Sequence, residues 1–243
     1  MNSYDNRVFF EKYSQMLRSV KGLAGAGEWP EFEKMLPYFS GRTVLDIGCG
    51  FGWHCLYAAK HDAAKIVGID ISENMLQVAQ KKAREEGASN ISYLKMPMEE
   101  YEYPEDTYDI VLSSLALHYI SDLPAIYQKV YRTLKTGGYF VFSVEHPIFT
   151  AYGNQDWFYG EDGEILHWPV DRYFEEGSRE AVFLGETVQK QHHTLTGWLQ
   201  PLLKAGFQIC QLCEPQPPEH MMEIPGMKEE LRRPMMLLIS ARK

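Results

Sequence analysis

An aspartate followed by three alternating glycines marks the part of this chain where chemistry is concentrated. The stretch VLDIGCGFGW, Val44 to Trp53, runs an apolar segment into Asp46 and then Gly48, Gly50 and Gly52. Glycines after a strand let a backbone approach a nucleotide closely. In the dinucleotide fingerprint GxGxxG, the third glycine lets the following helix pack on the strand, and the helix N-terminus faces a pyrophosphate. Counted from Gly48, that third position is Trp53, and Asp46 would stand against a doubly negative pyrophosphate. Both features argue against NAD or FAD. A second acid, Asp70, ends the run KIVGID about 20 residues past Gly48, the spacing at which a carboxylate accepts ribose hydroxyls.

A ligand suited to both acids carries a nucleoside and positive charge in place of phosphate. S-adenosylmethionine, with an ammonium and a sulfonium, meets that requirement. Two histidines are candidates for contact with an acceptor or for removing its proton. His118 follows the run YDIVLSSL, and His146 leaves GGYFVFSV at the carboxyl edge, where open α/β sheets bind ligands. His54 and His61, expected to flank a surface helix, and His167 and His220, expected in loops, receive no role. His192 and His193 are adjacent, whereas two metal ligands on a helix stand four apart, so no metal is expected.

The elements that must position these residues follow from periodicity. Seven apolar, β-branched runs read as strands: RTVLDIG, KIVGIDI, NISYLKM, YDIVLSSL, GGYFVFSV, FQICQLC and PMMLLISAR. Helical patterns lie between them. SENMLQVAQKKAREEG has Ser72 as N-cap and Gly87 as stop, LPAIYQKVYRTLKTGG ends on Gly137 and Gly138, and TLTGWLQPLLKAG precedes the sixth strand. Alternation of this kind predicts an α/β fold, a doubly wound, mostly parallel seven-stranded sheet covered on both faces. Ahead of it, Phe9, Tyr13, Met16, Leu17 and Val20 share a face of a predicted N-terminal cap helix.

With these motifs in order, the chain resembles the class I S-adenosylmethionine-dependent methyltransferases, a Rossmann-like family, and in particular the small-molecule branch related to ubiquinone and menaquinone biosynthesis. VLDIGCGFG resembles the family's first motif, VGIDIS its second, YPEDTYDIVLSSLALHYI the strand-four region and LKTGGYFVFSV the strand-five region. The resemblance is strong from Arg42 to Val144 and loose elsewhere. It implies that Asp46 and the backbone of Gly48, Cys49 and Gly50 surround the methionine part of the cofactor, that Asp70 holds the ribose, and that Ile71 and Met75 pack on adenine. It places Ser114, Leu115 and His118 at the reaction centre and brings a cap helix, through Tyr13 or Arg18, over the cofactor. Where many relatives have an Asp facing the adenine amino group, this chain has Pro97, and the backbone of Met98 or the carboxylate of Glu99 is expected to substitute. The product would be S-adenosylhomocysteine. Alternatives from other classes are a non-catalytic cofactor-binding module and an NAD-dependent oxidoreductase.

The formal charge of −9, with basic residues no denser than Lys81-Lys82 or Arg232-Arg233, disfavours a nucleic-acid partner. The place after the fourth strand reads Ser113-Ser-Leu-Ala-Leu-His118 rather than the Asn/Asp-Pro-Pro-Tyr type of nucleobase amine methyltransferases, leaving a small-molecule acceptor as the expectation. No stretch approaches 18 apolar residues and the N-terminus lacks a signal-peptide layout, so a cytoplasmic protein without membrane association is expected. Four cysteines are too few for a disulfide framework, and Cys210 and Cys213 fall in a strand, facing opposite sides.

One domain is expected, divided into a cap (residues 1–30), a cofactor core (41–145), a lid (146–190) and a C-terminal helix and strand pair (191–243). The lid segment concentrates Phe149, Tyr152, Trp157, Trp168, Tyr173 and Phe174, which would enclose a flat or apolar acceptor. Its alternative role is an interface in a homodimer.

Overall fold

The seven apolar, β-branched runs become a seven-stranded sheet with a separate core on each face. The computed structural model describes residues 3–243. A 3-10 turn (Ser3–Asp5) leads into α1 (Arg7–Ser14), α2 (Leu17–Lys21) and α3 (Trp29–Met35). Then come β1 (Thr43–Ile47), α4 (Trp53–Lys60), β2 (Lys65–Asp70), α5 (Glu73–Glu85), β3 (Ile91–Lys95) and β4 (Tyr108–Ser114). A 3-10 turn (Leu117–Tyr119), α6 (Leu123–Thr133) and β5 (Leu134–Glu145) complete the first part. The segment after β5 forms α7 (Pro147–Thr150) and two hairpins, β6 (Phe158–Tyr159) with β7 (Ile165–His167), and β8 (Gly177–Phe183) with β9 (Glu186–His192). The chain ends with α8 (Leu195–Lys204), β10 (Gln208–Cys213) and β11 (Met236–Arg242).

The strand order is β10-β11-β5-β4-β1-β2-β3, with β1 to β5 parallel and β11 antiparallel to both neighbours. The reversal follows from the connection between β10 and β11: it contains only 3-10 turns, and a parallel return needs a full crossover helix. Leu45, Ile47, Val111, Phe140 and Phe142 point to the face covered by α6 and α8, while Val44, Ile66, Ile110 and Val141 point to the face of α3, α4 and α5. Each fully buried aliphatic or Phe side chain here stabilises the fold by about 1.5–3 kcal/mol. Side chains seat the helix starts: Ser72 accepts from Met75 N–H at 3.2 Å, and Asp122 from Ala125 N–H at 3.1 Å. Among the described residues, no helix is long and apolar enough to cross a membrane.

Three expectations are corrected. The N-terminal cap is not one helix: Met16 is extended between α1 and α2, so the helical register is lost and Val20 lies outside at 64 % exposure. α6 stops at Thr133, because Leu134 already belongs to β5, paired with Tyr108. The six aromatic residues expected to form the lid, Phe149, Tyr152, Trp157, Trp168, Tyr173 and Phe174, do not line the cavity. Phe149 stacks on Trp168 with ring centroids 5.0 Å apart, Trp157 meets Trp168 edge-on, and the guanidinium of Arg233 lies 4.2 Å from the Trp168 ring. Arg233 is also held by Glu230 through bonds of 2.6 and 2.9 Å. These rings are therefore spent on tying the insertion to the connection before β11, by stacking and cation–π attraction.

Candidate functional site

The strands β1, β2, β4 and β5 all deliver their chain to one carboxyl edge, where a cavity of about 890 Å³ opens. At one end the glycine loop is folded by its own backbone: Gly48 and Cys49 N–H both donate to Ile69 carbonyl at 2.9 Å. Gly50 adopts φ +53°, and a Cβ there would meet nothing within 4 Å, so its backbone faces open space. Gly52, at φ +73°, starts α4, and a Cβ there would collide with the Tyr93 hydroxyl. The close-packing duty sought at Trp53 in the dinucleotide pattern thus falls on Gly52. Trp53 instead packs toward Gly22 and carries Lys82 Nζ 4.0 Å above its ring.

Asp70 lines the cavity at the tip of β2. Its Oδ2 accepts Gly50 N–H and its Oδ1 accepts Ser72 N–H, both at 2.8 Å. Each oxygen retains a further lone pair. Burial raises its pKa, and the two N–H bonds oppose that rise. Ile71 and Met75 line the same end, as do Met98 and Glu99 beyond β3. Ile71 is half exposed, whereas Met75 is buried.

Tyr13, Met16 and Arg18 reach the cavity from the cap. Arg18 forms an ion pair with Glu28 at 2.7 Å, a partner the sequence pattern did not suggest because the two are joined only through the break between α2 and α3. Ser114 and Leu115 lie at the end of β4. Leu115 holds φ +52°, a strained left-handed conformation for a Leu, fixed by its N–H donating to Ser143 carbonyl at 2.9 Å and to Ser143 Oγ at 3.2 Å.

Asp46 is deeper than expected. It does not line the cavity but lies beneath the loop, where Cys55 Sγ donates to its Oδ2 at 3.3 Å and Oδ1 has no hydrogen-bond partner. Burial pushes its pKa up to about 7. Cys49 is also buried and borders a small space of about 80 Å³ beside the loop, shared with Arg18, Gly48 and Gly50.

The far end of the cavity holds His118, Glu145 and Lys190. His118 Nδ1 is buried without a partner, and burial lowers the imidazole pKa to about 4. Glu145 and Lys190 were not singled out from sequence, since a lone acid ending a strand and a lone Lys in a hairpin carry no spacing signal. His146, expected at the acceptor, does not reach the cavity. It caps α7, Nδ1 accepting Ile148 N–H at 3.1 Å, and its Nε2 stands 2.9 Å from a Glu214 oxygen. His54 is likewise not at the surface but packed against Trp29 and Phe32. His192 bridges Thr150 Oγ1 and the Tyr173 carbonyl, a structural position. The cavity is closed by Phe183, Val188 and Gln189 from β8–β9 and by Pro215 to Met236, a connection whose methionines gave no periodic signal.

Residues 39–161 match the methyltransferase domain family. A structure from Listeria monocytogenes, described as a candidate S-adenosylmethionine-dependent methyltransferase, is 55 % identical with TM-score 0.86, covering 91 % of this chain and 99 % of that one. An S-adenosylmethionine-dependent methyltransferase from Mesorhizobium loti is 40 % identical with TM-score 0.84, covering 91 % and 100 %. A demethylmenaquinone methyltransferase of Symbiobacterium thermophilum is 28 % identical over 142 residues, 56 % of this chain and 57 % of that one. The chain belongs to the class I S-adenosylmethionine-dependent methyltransferases. Its fold is theirs, and S-adenosylmethionine is its cofactor.

The buried Asp46 generates a pH signature. Its folded pKa lies above the ordinary carboxylate value, so its stabilising contribution is complete below about pH 4 and is lost as pH rises toward about 7. Melting temperatures of the ligand-free parent and of Asp46→Asn, compared from pH 5 to 8, should diverge, the parent losing stability relative to the variant. Parallel curves would contradict the assignment.

Proposed function

We propose that this methyltransferase acts on a small, largely apolar acceptor that presents a protic nucleophile at the His118 end of the cavity. The observation that carries this is continuity: one space joins Asp70 and the glycine loop to His118 and Glu145. Its volume of about 890 Å³ sits toward the upper end of the roughly 300–1,000 Å³ typical of small-molecule sites, which leaves room for an acceptor beside the cofactor. Methionines 98, 221, 227 and 235 line it, flexible side chains suited to an irregular apolar ligand. The demethylmenaquinone methyltransferase among the relatives acts, by its name, on demethylmenaquinone.

In this reading the two free lone pairs of Asp70 accept the ribose hydroxyls, and Ile71 and Met75 flank the adenine, with Met98 and Glu99 at its amino edge. Gly48, Cys49 and Gly50 border the methionine portion together with Tyr13 and Arg18. The unmet Oδ1 of Asp46 is an acceptor of the kind an ammonium above the loop would satisfy. Ser114 and Leu115 face the sulfonium. The whole chain acts as one domain, residues 41–145 holding the cofactor and the β8–β9 hairpin with residues 215–236 covering the acceptor.

The bound cofactor supplies a methyl group already activated on sulfonium for in-line displacement. The chain's tasks are to align the acceptor, exclude water and receive a proton. His118 is suited to the last, because an uncharged imidazole with a free Nδ1 accepts a hydrogen bond from an O–H or N–H group.

Asp70→Ala should weaken S-adenosylhomocysteine binding about tenfold or more, the equivalent of roughly 1–3 kcal/mol for hydroxyls left unpaired. Unchanged affinity in calorimetry would refute the ribose assignment. Incubation with methyl-labelled cofactor and a metabolite extract, followed by mass analysis, should reveal a labelled small molecule. With that acceptor, His118→Gln should lower kcat by about 10²- to 10⁴-fold while leaving S-adenosylhomocysteine affinity intact. Label appearing only in protein or nucleic acid, or full turnover by His118→Gln, would overturn the reading.

A further inference from the structure

The acceptor end contains a closed polar arrangement that the proposed chemistry does not yet use. Glu145 ends β5, and both its oxygens are occupied: Lys190 Nζ donates to Oε1 at 2.5 Å and Gln155 Nε2 donates to Oε2 at 2.6 Å. Lys190 also donates to Gln155 Oε1 at 3.0 Å. The end of β5, the start of the insertion and its hairpin strand β9 thus meet in a ring, and Lys190 is only 3 % exposed. Buried ions are costly unless fully paired, so a matched pair beside the reaction end of a cavity calls for an explanation.

The turn carrying His118 packs against both β5 and β9, the strands that supply Glu145 and Lys190. We infer that Lys190 is a positioning residue: by neutralising Glu145 it adds to burial in keeping His118 uncharged and able to take the acceptor's proton. The inference rests on the reading of His118 given above. A carboxylate facing a buried imidazole favours its protonated form, and an ammonium opposes that. Both influences act on His118, Glu145 raising and Lys190 lowering its pKa, after the larger effect of burial. The other titratable groups around the turn are uncharged phenols and imidazoles. Tyr119 lies 4.6 Å from the His118 ring, and its hydroxyl is bonded to that of Tyr4 at 2.9 Å. Burial raises the pKa of both phenols and lowers that of His193 near Ile120. Burial is the larger influence on the imidazole, and the Glu145–Lys190 pair is the charged influence that adds to it. In the transfer step the acceptor's O–H or N–H bond breaks and its proton goes to Nδ1. The electron pair released forms the bond to the methyl carbon, while the carbon–sulfur pair stays on sulfur.

The insertion after β5 gains a chemical reason from this. It brings Gln155 and Lys190 to Glu145, and its hairpin β8–β9 acts through charge rather than through the aromatic rings expected to form a lid.

The test is titration of the His118 imidazole by NMR in ligand-free protein, which needs neither cofactor nor acceptor. Removing the cation in Lys190→Met should raise the His118 pKa by about one pH unit or more. Lys190→Gln, which keeps hydrogen-bonding groups without charge, should do the same and serves if the first variant does not fold. Glu145→Gln combined with Lys190→Met removes both charges and should return the titration to near that of the parent, while Lys190→Arg should leave it there. An unmoved His118 in Lys190→Gln, or a shift that persists in the double variant, would overturn the inference. Failure of the acceptor reading would show separately, as turnover undiminished in His118→Gln.

Discussion

The carboxylate of Asp70 holds the site together. Through Gly50 N–H and Ser72 N–H it joins the glycine loop after β1 to the start of α5, fixing two loops that would otherwise be set only by their strands. Ser72 extends the connection. Its hydroxyl donates to Asp5 at 2.6 Å, and Asn74 N–H donates to the same carboxylate at 3.2 Å, so the N-terminal turn is fastened to the mouth of the cavity. A single acid thus shapes the loop, supports the helix cap beside it and presents free lone pairs to a ligand. Charge-assisted bonds of this kind are short and directional, and they preorganise a site before anything binds.

The two ends of the cavity handle charge differently. Near Asp70 negative charge is left available, as suits a cofactor that carries positive charge. At the far end every charge close to His118 is matched within the protein, and the remaining lining is largely apolar. Burial and pairing work together there, since a low-dielectric surrounding strengthens both the Glu145–Lys190 attraction and the penalty for disturbing it. Arg233, enclosed by Phe149, Trp157 and Trp168, keeps the insertion fastened to the chain that covers this end.

Much of the fold was legible in the sequence, because sheet strands leave apolar, β-branched runs and all seven such runs became strands, even β3 and β10, which are largely exposed. Glycines were readable for a similar reason: positive φ and close approach admit few other residues, and Gly48 and Gly52 carry both marks. The strand reversal at β11 and the break at Met16 were hidden, since direction and helix interruption depend on tertiary contacts rather than on local periodicity. His146 looked functional from its place at the sheet edge, yet only the structure shows its ring turned to the N-terminus of α7. The aromatic insertion misled for a related reason. Composition reveals that rings will bury one another but not which guest they enclose, and here the guest is an arginine some sixty residues away or more. Glu145, Gln155 and Lys190 left no trace, because a cluster assembled from three segments has no spacing.

A crystal structure with S-adenosylhomocysteine tests the central claim most directly, that one cavity holds the cofactor at Asp70 and the acceptor at His118. The ribose hydroxyls should lie within hydrogen-bond distance of both Asp70 oxygens, and the sulfur should face the space lined by His118 and Glu145. Density for the ligand outside this cavity, or a sulfur turned away from His118 with the ribose clear of Asp70, would contradict it.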